Sequence, residues 1–239
     1  MHGAAKGNIS TFVLPLFNGL WPYNKATRFT GGSLLELEVD MKRIMAIIGS
    51  PRKGGNTEVL TDKMIEGCKS RGEVGIEKFF VIDKDIKYCN GCLTCVNQGE
   101  EKCVIKDDME GILERMEECD GFIFATPNHV RSVTAPMLNF LTRMLPLLEL
   151  KVEQDSEGNI VGGGFNSRLE GKRAAMVISQ GDPIISSFLV FELLERNFLD
   201  YNLLRIGEVI SIGNTGKGDV KEKKNDLEAA FAIGRILAS

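Results

Sequence analysis

A run of glycines and small polar residues follows an apolar stretch in the first half of the chain. Residues 44–48 are apolar, and residues 49–55 read Gly-Ser-Pro-Arg-Lys-Gly-Gly. Asn56 and Thr57 then open a helical pattern. A loop between a strand and a helix directs backbone N–H groups and the positive end of the helix dipole at one point. This pattern predicts a phosphate-binding site.

The residues of this loop do not match two common phosphate-binding motifs. A nucleoside-triphosphate loop needs Gly-x4-Gly-Lys-Ser/Thr, but Gly55 stands at the lysine position and Asn56 at the next. A dinucleotide fingerprint needs Gly-x-Gly-x-x-Gly, but Pro51 stands where its second glycine belongs. The remaining interpretation is a site for a monophosphate, and the alternative is an ordinary strand-to-helix turn.

Four of the six cysteines lie close together in the sequence. Cys89, Cys92, Cys95 and Cys103 have the spacing Cys-x2-Cys-x2-Cys-x7-Cys. Three thiolates at this spacing can converge on a cubane iron–sulfur cluster, and a fourth nearby can complete its ligands. A zinc site, which usually takes two separated Cys-x2-Cys pairs, is one alternative. Cysteines without a metal, reduced or joined as a disulfide, are the other.

Composition limits the partners and the compartment. The chain has 239 residues and a formal net charge of −4, which disfavours a nucleic-acid partner. No apolar run approaches the ~20 residues that a membrane span needs. Residues 11–21 lack the basic start and the cleavage pattern of a signal peptide. Because crowded cysteines suit a reducing compartment, we expect a cytoplasmic protein with no membrane partner.

The elements that must position these residues alternate along most of the chain. Residues 1–40 show no sustained period and are expected to form an irregular N-terminal extension to the domain of residues 41–239. The predicted strands are 43–48, 76–82, 122–126, 174–179 and 204–212, and the predicted helices begin near Thr57, Asp107, Pro136, Pro183 and Asp219. Near-continuous apolar strands alternating with helices predict an α/β fold with a doubly wound parallel sheet.

Three loops should meet at one edge of that sheet. Ligands of such sheets bind at the carboxyl ends of the strands, and the loops 50–57, 126–131 and 179–183 all leave from those ends. A polar insertion at 149–172 precedes the fourth strand, with a small hairpin expected around 159–161. Insertions of this length are usually mobile or functional, so a lid or a subunit contact is one interpretation.

Three stretches of the chain together match the pattern of a known family. They are GSPRKGGNT at 49–57, the cysteines of 89–103 with KDDM at 106–109, and TPNH at 126–129 with SVTAP at 132–136 and NFLTR at 139–143. The combination resembles the iron–sulfur flavoproteins, within the broader NAD(P)H-dependent FMN reductase group of the flavodoxin-like fold. The resemblance covers residues 41–239 and leaves out 1–40.

The resemblance implies FMN, a 4Fe–4S cluster, a homo-oligomer (dimer or tetramer) and a five-stranded parallel sheet of strand order 2-1-3-4-5. Its implied phosphate ligands are Ser50, Arg52, Gly55, Asn56 and Thr57. Its implied contacts to the flavin ring are Pro127, Asn128, His129, Val130, Gln180 and Gly181. Its implied cluster ligands are Cys89, Cys92, Cys95 and Cys103. This chain departs from the family at His129 and Asn128, where an aromatic residue and a valine are usual.

The sequence therefore predicts an FMN-dependent oxidoreductase that couples a flavin to a 4Fe–4S cluster and takes electrons from NAD(P)H or a ferredoxin-type donor. Three alternatives remain: a cluster-free NAD(P)H-dependent FMN or quinone reductase, a flavodoxin-like electron carrier, and a non-redox module that binds another phosphate. Because His2 and His129 are the only histidines, hydrolytic triads are disfavoured, and no catalytic acid–base residue is predicted.

Overall fold

The computed structural model describes residues 25–30, 33–38, 41–97 and 103–239. Its strands are β1 (Lys25–Thr30), β2 (Ser33–Glu38), β3 (Lys42–Ile48), β4 (Val74–Phe80), β5 (Gly121–Pro127), β6 (Leu148–Gln154), β7 (Ile160–Ser167), β8 (Arg173–Ser179) and β9 (Leu204–Ser211). Its helices are α1 (Asn56–Lys69), α2 (Thr94–Asn97), α3 (Met109–Glu118), α4 (Ala135–Thr142), α5 (Phe188–Asp200) and α6 (Lys224–Leu237). In this part of the chain, no helix has both the length and the apolar character of a membrane span.

Five parallel strands form the central sheet. Their order is β4-β3-β5-β8-β9, which is 2-1-3-4-5 when these strands alone are numbered along the chain. Alternate residues of β3 enter two different cores, with Ile44 and Ile48 facing α1 and α6, and Met45 and Ile47 facing the side of α3, α4 and α5. Because helices cover both faces, the central strands are apolar along most of their length. The predicted doubly wound α/β sheet is confirmed.

The ends of several elements differ from the predicted ones by a few residues. The second strand of the sheet spans Val74–Phe80 rather than 76–82, because residues Val81–Asp83 form a 3-10 turn. The predicted helix at Asp107 begins at Met109, since an Asp107 carboxylate oxygen accepts a hydrogen bond from the Met109 N–H at 3.0 Å. Local side-chain bonds of this kind replace the first turn of a helix.

Two hairpins lie outside the central sheet. Residues 25–38, expected to be irregular, contain β1 and β2 paired antiparallel, while residues 1–24 lie outside the described residues. The polar insertion forms the antiparallel pair β6–β7, so its hairpin is longer than the one expected around 159–161. Its turn is fixed by Asp155, whose carboxylate accepts from the backbone N–H groups of Glu157 and Asn159 at 2.9 Å each.

Helices α1 and α6 pack with their backbones in contact. A Cβ atom placed on Gly67 would overlap the carbonyl oxygen of Phe231, and one placed on Gly234 would overlap the carbonyl oxygen of Met64. Glycine at these two positions therefore allows the closest approach between the helices. This packing holds α1, and with it the start of α1, against the sheet.

We expect Gly234→Ala to lower the free energy of unfolding by about 2 kcal/mol, because the added methyl group forces the two helices apart. Gly111→Ala is the matched control, since Gly111 also lies inside a helix but its added Cβ would meet only the flexible end of Arg115, at 3.3 Å. Denaturant unfolding of both variants tests this. Equal stabilities for the two variants would contradict backbone contact between α1 and α6.

Candidate functional site

A cavity of about 360 Å³ opens at the carboxyl edge of the sheet. Its volume lies within the range of small-molecule sites. It is lined by the loops that follow β3, β5, β8 and β9 and by the start of α4. The lining residues are Ser50, Pro51, Arg52, Gly55, Asn56, Thr57, Pro127, Asn128, His129, Thr134, Ala135, Pro136, Ser179, Gln180, Gly181, Asn214, Thr215 and Lys217.

Backbone hydrogen bonds hold three of these loops in register beyond the ends of the strands. The Asn128 N–H donates to the Ser179 carbonyl at 2.8 Å, and the Gln180 N–H donates to the Ser211 carbonyl at 2.8 Å. The Asn214 N–H then donates to the Gln180 carbonyl at 2.9 Å. The sheet thus extends as a ladder into its loops, which brings polar residues from distant parts of the chain to one cavity.

The start of α1 has no side-chain cap. Its N-cap residue is Gly55, in extended conformation, which has no side chain to offer. The start of α4 also lines the cavity, but there the Thr134 hydroxyl accepts from the Met137 N–H at 3.4 Å. Because the first N–H groups of a helix have no partner within the helix, α1 presents unpaired donors and the positive end of its dipole to the cavity.

Short-range contacts fix the shape of the loop before α1. The Ser50 hydroxyl accepts from the Arg52 N–H at 3.2 Å. The Gly54 N–H donates to the Glu58 carboxylate, which Lys78 neutralises at 2.9 Å. Burial acts to raise the pKa of Glu58, but the hydrogen bonds from Lys78 and Gly54 outweigh it and lower the pKa. The Gly54 N–H is therefore already in use, and the donors left for a ligand belong to α1.

Two basic side chains line the cavity. Arg52 and Lys217 are exposed, and in the described part of the chain neither forms an ion pair with a carboxylate. Lys53, the third basic residue of the region, instead pairs with Asp83 at 2.7 Å and lies over the ring of Phe80. The charge available to an anion in the cavity therefore comes from Arg52 and Lys217.

The side chains of Asn56 and Thr57, expected to donate to a phosphate, contact the protein. The Asn56 amide donates to the Gly216 carbonyl at 2.8 Å and accepts from the Val220 N–H at 3.2 Å. The Thr57 hydroxyl bonds the Ser179 hydroxyl at 2.7 Å. What these two residues can offer to an anion is therefore mainly their backbone N–H groups.

Five of the six residues predicted to contact a flavin ring line the same cavity. They are Pro127, Asn128, His129, Gln180 and Gly181. Val130 is 87% exposed and is not a lining residue.

Val130 lies at the tip of a tight turn on the rim of the cavity. The His129 N–H donates to the Ser132 carbonyl at 2.9 Å, and the Ser132 N–H donates back at 3.2 Å. The two residues between them have positive φ angles, 54° for Val130 and 63° for Arg131. A positive φ is unusual for a β-branched residue, so this turn is strained. The turn fixes the backbone of His129 beside the cavity and leaves Val130 exposed to solvent.

Two buried amide oxygens at the cavity have no donor among the described residues. They are the Oδ1 atoms of Asn128 and Asn214. The amide nitrogen of Asn214 donates to the Ser211 carbonyl at 2.9 Å, and that of Asn128 donates to Gln180 Oε1 at 2.6 Å. Both oxygens are closed off from solvent, so they are not exposed to the open cavity.

The cysteine segment lies between β4 and α3. Cys89 and Cys92 are exposed, Cys95 and Cys103 are half-buried, and all four are free thiols. The Cys89 sulfur accepts from the Gly91 N–H at 3.4 Å, and the Cys92 sulfur accepts from the Thr94 hydroxyl at 3.5 Å. Among the described residues, which omit 98–102, no three ligands converge to hold a metal.

The thiols of this segment affect one another. Burial, followed by the neighbouring Cys103, Cys92 and Cys89, raises the pKa of Cys95. The hydrogen bond from Thr94 lowers the pKa of Cys92. The two cysteines outside the segment differ: Cys68 and Cys119 are buried, and burial raises the pKa of each to about 12. They behave as small apolar core residues.

A buried ion pair anchors the cysteine segment to α4. Arg143 donates to both oxygens of Asp107 at 2.6 and 3.0 Å, and the exposed fractions of the two side chains are 1% and 0%. The same guanidinium donates to the Lys87 carbonyl at 2.6 Å and to the Cys103 sulfur at 3.8 Å. Burial acts to raise the pKa of Asp107, but the hydrogen bonds from Arg143 and from two backbone N–H groups lower it.

The loop after β9 also lines the cavity, although it was not among the loops predicted from the sequence to form the site. It supplies Asn214, Thr215 and Lys217 to the cavity. The sequence Asn-Thr-Gly-Lys-Gly at 214–218 is polar, rich in glycine and placed directly after a predicted strand. Ligands of parallel sheets bind at the carboxyl ends of the strands, and this rule, applied to the last predicted strand, would have identified the loop.

Comparisons with known proteins agree with this architecture. Residues 42–183 match the family of NADPH-dependent FMN reductases. The chain is 40% identical to an iron–sulfur flavoprotein from Archaeoglobus fulgidus over 104 residues, which are 44% of this chain and 46% of that protein. It therefore spans about half the length of that relative. It is 29% identical to an iron–sulfur flavoprotein from Methanocaldococcus jannaschii over 82% of this chain and 95% of that protein.

A solved structure supports the same fold. The FMN-dependent NADH-azoreductase from Bacillus anthracis, crystallised with FMN, has a TM-score of 0.61 at 12% identity and covers 83% of this chain and all of that one. At this identity the likeness concerns the fold alone. The family match covers more than half of the chain and includes the loops after β3, β5 and β8. The chain belongs to the NADPH-dependent FMN reductase family.

Proposed function

We propose that this protein is a flavin-dependent oxidoreductase that binds FMN in the cavity, with the phosphate at the start of α1. The observation that carries the proposal is the uncapped start of α1, which faces a cavity containing two basic residues without carboxylate partners among the described residues. A phosphate there would accept from backbone N–H groups of α1 and pair with Arg52.

The rest of the flavin would extend toward the loops after β5 and β8. It would lie beside Asn128 and Asn214, which line the cavity. Pro127, His129 and Gly181 would cover the ring and exclude water from one side. FMN, when bound, supplies electron transfer in steps of one or two.

The finer part of the proposal is a 4Fe–4S cluster on Cys89, Cys92, Cys95 and Cys103. Two observations support it: the spacing of the cysteines, and the N–H and O–H groups that donate to three of the four sulfurs. Hydrogen bonds to sulfur are among the factors that set the potential of such clusters. Relatives of this chain from two organisms carry the name iron–sulfur flavoprotein.

Electrons would enter from NAD(P)H or from a ferredoxin-type donor. The proposed assembly is a homo-oligomer of two or four chains, with no nucleic-acid or membrane partner.

A cluster-free FMN or quinone reductase remains the second candidate, because no three ligands converge among the described residues. A relative from Bacillus subtilis, 26% identical over 80% of this chain, is named a putative NAD(P)H-dependent FMN-containing oxidoreductase. Brisk NADPH-dependent turnover by protein without iron would favour this candidate.

The FMN site is tested by titrating flavin-free protein with FMN and following the quenching of flavin fluorescence. We expect tight binding by the wild type and about tenfold weaker binding by Arg52→Ala, which removes a charge-assisted contact to the phosphate. Lys53→Ala is the matched control, because the charge of Lys53 is already paired with Asp83. A wild type that binds no FMN would refute the proposal, and equal losses in both variants would refute the assigned role of Arg52.

The cluster is tested by anaerobic reconstitution with iron and sulfide, followed by electron paramagnetic resonance and by counting iron per chain. Cys92→Ala should lose most of the iron and the cluster spectrum, because it removes one of four proposed ligands. Cys119→Ala, which truncates a buried cysteine outside the segment, should keep both. An unchanged cluster spectrum in Cys92→Ala would contradict the ligand assignment.

The buried ion pair predicts a measurable dependence of stability on pH. The pKa of Asp107 is lower in the folded chain than in the unfolded one, so its stabilising contribution is complete above about pH 4 and is lost as the pH falls through the lowered value. We expect Asp107→Asn to lower the free energy of unfolding at pH 7 by about 3 kcal/mol, because it leaves the Arg143 charge buried without a counter-ion.

Urea unfolding between pH 7 and pH 3 measures this effect. The Asp107→Asn variant should lose part of the acid dependence that the wild type shows. Asp83→Asn breaks an exposed ion pair with Lys53 and serves as the control, for which we expect a change below about 1 kcal/mol. Similar losses of unfolding free energy in the two variants would show that burial does not make the Asp107–Arg143 pair more stabilising than the exposed pair.

A further inference from the structure

Residues 212–218, which we call the strap, form the loop between β9 and the 3-10 turn Asp219–Glu222. The side chain of Asn56, at the start of α1, contacts both the strap and the 3-10 turn that follows it. The Asn56 amide nitrogen donates to the Gly216 carbonyl at 2.8 Å, and its amide oxygen accepts from the Val220 N–H at 3.2 Å. A residue at the proposed phosphate site thus uses its whole side chain to position a segment 160 residues away.

Asp219, the first residue of the 3-10 turn, also braces the strap. The carboxylate of Asp219 accepts from the Gly216 N–H at 2.5 Å and from the Thr215 hydroxyl at 3.4 Å. Gly213 and Gly218, near its two ends, have φ angles of 70° and 86°, which glycine adopts without strain. These contacts fix the backbone on both sides of Lys217.

The strap places Lys217 over the glycines that precede α1. A Cβ atom at Gly54 would lie 3.1 Å from Lys217 Cε and 3.4 Å from its Nζ. The ammonium group therefore lies directly above the turn that leads into α1, where Gly54, with a φ of 68°, leaves room for it. Lys217 lines the cavity, and it has no carboxylate partner among the described residues.

We propose that Lys217 is a specificity-determining residue that binds the terminal phosphate of the flavin together with the start of α1, and that Asn56 acts as its positioning residue. This inference rests on the proposed FMN site. The phosphate would accept from the α1 N–H groups and pair with both Arg52 and the Lys217 ammonium. Because only the phosphorylated flavin can make these contacts, Lys217 favours FMN over riboflavin.

The test compares the dissociation constants of FMN and riboflavin for flavin-stripped full-length protein. Lys217→Met keeps much of the side-chain volume and removes the charge, so it should weaken FMN binding about tenfold and leave riboflavin binding unchanged. Lys217→Arg should restore most of the preference for FMN. Lys221→Met removes a lysine just beyond the strap that does not line the cavity, and it should leave both affinities unchanged.

A double-mutant cycle tests the role of Asn56. Asn56→Ala should weaken FMN binding in the wild-type background and have a much smaller effect in the Lys217→Met background, because the released strap no longer positions a charge. Suppose that the wild type binds FMN and that Lys217→Met keeps the full wild-type preference for FMN over riboflavin. The inference about Lys217 is then overturned, while the FMN site stands. If the wild type binds neither flavin, the proposed function fails together with the inference. Additive effects of the two substitutions would overturn the positioning role of Asn56.

Discussion

The register of the parallel sheet is the constraint on which the site depends. Parallel strands must enter from the same end, so the carboxyl ends of β3, β5, β8 and β9 meet at one edge. Three further backbone hydrogen bonds continue this register into the loops, through Asn128, Gln180 and Asn214. The cavity therefore owes its shape to main-chain bonds, and its side chains determine only what it can bind.

The electrostatics of the cavity follow from which charges the fold neutralises and which it leaves unpaired. Glu58 closes the loop before α1, and Lys78 balances its charge. Lys53 is paired with Asp83 outside the cavity. Among the described lining residues this leaves Arg52 and Lys217 beside an uncapped helix start, a combination that would repel a cation and suits a dianionic phosphate.

What the sequence could predict was local. The loop at 49–57 and the strands around it were predictable because their signals lie within a few residues: an apolar run, then glycines, then a helix start. The partners of Asn56 and Arg143 were not, because these contacts join residues distant in the chain: Asn56 reaches Gly216, and Arg143 reaches Asp107 and Cys103. Val130, predicted to contact a flavin ring, lies outside the cavity lining, and the positive φ angles of its turn could not be read from the sequence.

Helix α4 joins the two regions to which the proposed cofactors are assigned. At its start, the Thr134 hydroxyl donates to the Gly49 carbonyl at 2.6 Å, beside the cavity. At its end, Arg143 contacts Asp107 and the Cys103 sulfur. In between, the Asn139 amide donates to the Ile86 carbonyl at 2.8 Å, just before the cysteine segment.

The eight residues of α4 span about 12 Å, and a rigid element of that length fixes the separation of its two ends. The Arg143–Asp107 pair therefore does more than offset two buried charges. It ties the segment between β4 and α3, which contains the cysteines, to the helix that borders the cavity. A change that loosened this pair would release the cysteine segment from that helix.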